Sequence, residues 1–203
     1  FRPDDLPIPL RALLPTPRRP LSLDPGVIPK WFAQQREVNE LLTCVRSTRP
    51  SLVVASSWDL PFPSTLAFLT APQPDSVLVE EEDGRATIVF GEHDRGTSDV
   101  ARFVERKIDL YTALATFPDV CVDQFGLANF RVDVTVIDVK QHDPMKRLRT
   151  LMDAAAASSH PELFRFTLGG WLYAYTGENV WFTPARMPQT ASLHWPDHAS
   201  HDA

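Results

Sequence analysis

The stretch DSVLVEEEDGRATIVFGEHD, residues 75–94, constrains the fold more than any other part of the chain. Two strand-like runs flank Asp83-Gly84, a dipeptide suited to a tight two-residue hairpin turn. Val77 and Val79 alternate with Leu78 and Glu80 in the first arm, and Ile88 and Phe90 alternate with Val89 in the second. Asp75 and Glu92 each stand eight residues from that turn. Folding the ribbon therefore returns both carboxylates to the same end. Glu92 and Asp94 lie two apart, so a strand presents them on one face.

The rest of the chain reads around this ribbon. Residues 1–29 form a proline-rich arm or linker, because proline removes donors and blocks regular helix. Residues 30–48 space Trp31, Phe32, Val38, Leu41, Leu42 and Val45 along one helix face, and Leu52, Val53 and Val54 mark a short strand. Residues 59–74 read as loop. A helix is expected from Thr97 or Ser98, with Val100, Phe103, Val104, Ile108, Tyr111 and Leu114 in one apolar stripe ending at Phe117-Pro118. FRVDVTVIDV alternates as a strand, and PMKRLRTLMDAAAA is helical with Pro144 in its first turn. ELFRFTLGGWLYAYT and NVWFTP are read as closing strands, and 189–203 as a flexible tail. The predicted architecture is α/β, a mixed central sheet flanked by helices, occupying residues 30–188. The 75–139 portion fits a strand, crossover helix and returning strand if that connection is parallel.

Composition sets outer bounds. A net charge of −6 argues against a dominant basic footprint. The excess is local: residues 75–99 hold eight acids and two arginines, whereas residues 1–50 hold eight basic groups and five acids. No run of about 18 apolar residues exists, so no membrane span is expected. Cys44 and Cys121 lack metal or redox spacing and read as buried thiols in a reducing cytoplasm. Phe1 stands where Met would, with no signal segment, and we expect a fragment or processed chain.

Carboxylates converging on a rigid edge suit Mg²⁺, which takes hard oxygen ligands. Asp75 and Glu92 are the candidate ligands, and Asp94 either assists them or caps the turn that launches the helix. Lys107, on that helix, either reaches the acids to stabilise developing charge or stays on a solvated face. Tyr111 continues the apolar stripe and reads as core. Arg95 pairs with Asp94 or Glu92, and Gly96 accepts a backbone angle other residues resist. Glu80, Glu81 and Glu82 are expected to be exposed. Lys140, Lys146, Arg147 and Arg149 form a modest basic patch, either phosphate-facing or merely solvated. His194, His198 and His201 sit in the tail, and neither Ser56-Ser57 nor His160 has a nucleophile–base arrangement.

The order Pro74-Asp75, hairpin, Glu92 resembles the PD-(D/E)xK nuclease superfamily, which implies a restriction-endonuclease-like topology. That pattern places lysine where this chain has Asp94; branches of the superfamily carry it on the next helix, which nominates Lys107. Pro74-Asp75, Glu92-x-Asp94-Arg95-Gly96-Thr97 and Lys107-x-x-x-Tyr111 together look like the replication-relaxation family of plasmids and other mobile elements. The resemblance covers about residues 30–185. It implies a DNA-processing or DNA-binding role in plasmid replication or mobilisation, with DNA and other replication or mobilisation proteins as partners. Members begin with a winged-helix DNA-binding region, and none is recognisable here. Two functions follow as expectations: Mg²⁺-dependent phosphodiester hydrolysis by Asp75, Glu92 and Lys107, or a catalytically inactive interaction module.

Overall fold

A computed structural model of the 203-residue chain describes residues 40, 52–56, 65–66, 69–70, 72–82, 85–137, 143–174 and 180–185. The proline-rich arm, nearly all of the 30–48 helix, the Asp83-Gly84 turn, Lys140 and the histidine tail lie outside them.

Five strands form one mixed sheet, ordered β1 (Leu52–Ser56), β4 (Ser76–Glu82), β5 (Arg85–Asp94), β6 (Phe130–Val136), β7 (Phe164–Leu168). Two-residue strands β2 (Thr65–Leu66) and β3 (Leu69–Thr70) pair separately, inside the stretch read as loop. The β1–β4 and β4–β5 pairs are antiparallel, and β5–β6 and β6–β7 are parallel. The parallel β5–β6 connection meets the expectation for the 75–139 portion. The antiparallel pairing of β4 with β5 extends as far as Glu82 and Arg85.

The chain leaves β5 through a turn at Gly96, whose φ of 65° suits a residue without Cβ. A helical segment follows: α1 (Val100–Phe103), a π turn (Val104–Ile108) and α2 (Asp109–Ala115). Its N-cap is Asp99 rather than Thr97 or Ser98, the side chain accepting from Arg102 N at 2.7 Å. The π turn inserts one extra residue, so Phe103 and Ile108, five apart, both reach the core. Pro118 ends that helix and opens α3 (Pro118–Phe125), which stops at Gly126 with φ 73°. In α4 (Pro144–Ala156), Asp143 caps Lys146 N, and Leu148, Leu151, Met152 and Ala155 form the buried stripe. The closing run is corrected in part: β7 stops at Leu168, Gly169–Ala174 is helix α5, and Phe182 makes an isolated bridge to Phe166.

Register separates the two faces of the sheet. Ile88 and Phe90 share one with Val132, Val134 and Val136. Phe90 stacks on Tyr111 at 5.4 Å and meets the edge of Phe125 at 5.5 Å, which seats the helices there, and the Phe130 ring lies tilted beside it at 5.5 Å. The opposite face is also covered. Leu78 and Val89 are buried, and Glu80, expected in solvent, is only 9% exposed. Arg131 accounts for this by bridging Glu80 and Asp133, while Arg165 bonds Asp133 at 2.9 Å and lies over Trp181. A buried carboxylate is tolerated when a guanidinium pairs with it. Glu81 is exposed, as expected.

Candidate functional site

Glu92 and Asp94 project from the end of β5 on the helix-facing side. Continuing the Ser76–Gly91 pairing by one residue sets Asp75 across from Glu92. Asp75 N donates to Gly91 O at 2.9 Å, and Asp75 Oδ2 accepts from His93 N at 2.8 Å, which fixes the carboxylate at the strand end. The hairpin thus brings together the two acids that the sequence places eight residues from its turn.

The helix 100–115 crosses this end and meets Glu92 with two side chains four residues apart. Tyr111 Oη donates to Glu92 Oε1 at 2.6 Å, and Lys107 Nζ lies 2.6 Å from Oε2. Lys107 also donates to the Gln73 carbonyl at 2.6 Å, tying the helix to the segment that leads into Asp75. Glu92 is fully buried, whereas the Lys107 side chain keeps 23% of its surface. Tyr111 is core, as its stripe indicates, and it also orients the carboxylate.

Burial pushes Glu92 up to about 7, the Lys107 ammonium opposes that rise, and the Asp75 charge adds to it. Burial also raises the Tyr111 phenol well above its usual range, with Glu92 adding to the effect, and it lowers His93. Glu92 Oε2 has the Lys107 ammonium as its partner and Oε1 has the Tyr111 hydroxyl.

Asp94 is engaged elsewhere. Arg147 of α4 donates to both of its oxygens, at 2.7 and 3.1 Å, and Gly96 N donates to Oδ1 at 3.2 Å. This matches the turn-capping role and adds a bidentate cation that sequence spacing could not supply, since Arg147 lies 53 positions away. Among the described residues no three His, Cys, Asp or Glu side chains group as metal ligands. Mg²⁺ commonly takes one or two carboxylates with water and phosphate completing its shell. Two carboxylates set across adjacent strands, Glu92 and Asp75, fit that pattern, whereas Asp94 is held at both oxygens by Arg147.

A cleft of about 450 Å³ opens here, with Asp75, Glu92, Arg95, Arg102, Arg106 and Lys107 on its walls. A second, of about 620 Å³, adjoins it through Thr97 and Ser98 and reaches Lys146. Sequence reading passed over Arg102 and Arg106; their spacing of four on a helix was the available signal. Arg149 is exposed and His160 pairs with Glu162 at 3.1 Å; neither lines either cleft. Cys121 is buried, and burial raises its thiol to about 11, which suits an inert core residue.

Comparison with protein-family models, curated proteins and solved structures finds no match for this chain. The fold and site define an α/β domain with a mixed sheet and a buried carboxylate–lysine–tyrosine group at the end of its central hairpin. No helix among the described residues is long and apolar enough to cross a membrane.

Proposed function

We propose that this is a nuclease-like DNA-processing domain of a mobile element, with Asp75, Glu92 and Lys107 as its Mg²⁺-dependent phosphodiester-hydrolysis centre. The observation that carries the reading is the Lys107 ammonium set 2.6 Å from Glu92, beside Asp75, on the wall of an open cleft. Three antiparallel strands followed by two parallel ones, with Asp75 just before β4 and Glu92 two residues from the end of β5, support a restriction-endonuclease-like topology.

Asp75 and Glu92 would hold the ion. When bound, Mg²⁺ supplies Lewis-acid polarisation of a phosphoryl oxygen. As a water oxygen bonds to phosphorus and the bond to the leaving oxygen breaks, with the water's proton passing to solvent, Lys107 offers an ammonium to the negative charge that develops on the phosphoryl and leaving oxygens. Tyr111 fixes the Glu92 carboxylate, so its second oxygen keeps one orientation.

A second reading has its own support. Lys107 and Arg147 already give Glu92 and Asp94 cationic partners, as in an internally neutralised interaction module. Such a module would work beside a winged-helix reader and other replication or mobilisation proteins. Incubation with supercoiled plasmid and Mg²⁺ separates the two. The hydrolytic reading expects nicking by the wild type and none by Asp75→Ala. Absence of nicking in both supports the module.

A further inference from the structure

Removing the internal ion pairs from the cleft leaves a basic wall. Glu92 is matched by Lys107 and Asp94 by Arg147. Beside Asp75 and Arg95 the cleft holds Arg102 and Arg106, both exposed and neither in an ion pair among the described residues. They stand four positions apart on the helix that carries Lys107, so their guanidinium groups follow one another by roughly 6 Å along its axis. Thr97 and Ser98 line the same cleft with hydroxyls. Among the described residues the lining includes no Asn, Gln, Tyr or Trp, and its aromatic, Phe103, is only 7% exposed.

Guanidinium and hydroxyl groups are the side chains that most often meet phosphate and sugar. Guanidinium forks bind phosphate oxygens in a bidentate way. Adenine readout draws on amide side chains and strand stacking on exposed aromatics, and this cleft offers neither among the described residues; a guanidinium can also meet a guanine edge, and comparing two strands of unrelated sequence decides that point. We propose that Arg102 and Arg106 clamp successive phosphates of one DNA strand beside the Asp75–Glu92 pair, so that this domain reads backbone without reading sequence. The inference rests on the DNA-directed function proposed above and adds its substrate-positioning residues and its recognition mode. Sequence choice must then come from outside this cleft.

The test is DNA binding without metal. Two labelled single strands of equal length and unrelated sequence are titrated by fluorescence anisotropy in EDTA, across about 50–200 mM salt. Wild type, Arg102→Gln/Arg106→Gln, Asp75→Ala and the exposed control Arg149→Gln are compared. Loss of two phosphate contacts should flatten the slope of log K against log salt by about 1.4 in the double variant. Arg149→Gln should keep the wild-type slope, and the two strands should bind within threefold. A wild-type slope in the double variant, absence of wild-type binding, or strong preference for one strand would overturn the proposal. Asp75→Ala should bind DNA at least as well as wild type. If that variant also retained plasmid nicking, the hydrolytic centre would fail while the clamp stood.

Discussion

Glu92→Gln separates a carboxylate retained for chemistry from one retained for stability. Glu92 is fully buried, and its carboxyl is raised from 4.5 to about 7, mainly by burial. The folded state therefore keeps this proton over a pH range in which the unfolded chain has lost it. The resulting stability is fully present below pH 4.5 and is lost as pH rises through about 7. At about 1.4 kcal/mol per pKa unit, the ionised form costs on the order of 3 kcal/mol above pH 7. Glutamine keeps the shape and the contact with Tyr111 but cannot ionise. Urea denaturation of both proteins at pH 5 and pH 8.5 reads the effect. The two should be of similar stability at pH 5. At pH 8.5 the Gln variant should be the more stable by about 2–3 kcal/mol, while losing nicking. Because other carboxylates titrate in both proteins, the change in their difference isolates Glu92. An equal difference at the two pH values, or a less stable variant at pH 8.5, would refute the reasoning.

Three further outcomes follow from the packing. Gly91→Ala would place a Cβ 2.2 Å from Ser76 Oγ, so it should cost about 1–3 kcal/mol by denaturation, and adding Ser76→Ala should recover most of the loss. Tyr111→Phe keeps the Phe90 stack but loses the 2.6 Å bond to Glu92; we expect a loss of about 1–2 kcal/mol and a further upward shift of the Glu92 titration, followed by NMR. Arg147→Met leaves Asp94, only 4% exposed, without its guanidinium; the loss should be about 3–5 kcal/mol, and Asp94→Asn in the same chain should restore part of it.

What the sequence revealed and what it hid divide on physical grounds. The β4–β5 register was readable because strand period and turn chemistry are local, and they sufficed to oppose Asp75 and Glu92. The approach of Lys107 and Tyr111 to one carboxylate follows from helical spacing, although the π turn that tunes the helix leaves no local signature. Partnerships across long separations were hidden. Arg147 meets Asp94 across 53 positions and Arg131 meets Glu80 across 51, so Asp94 stayed a candidate ligand beside its turn-capping role and Glu80 read as solvated. The segment Trp171–Ala174 was misread because its aromatics favour strands in general, whereas here Trp171 and Leu172 are buried from a short helix.

The central claim is that Asp75 and Glu92 jointly hold a divalent ion. Anomalous scattering from a Mn²⁺-soaked crystal tests it most directly. One ion bonded to both carboxylates, with Asp94 still on Arg147, is the expected result; a map with no ion between them, and Lys107 unmoved against Glu92, would contradict it.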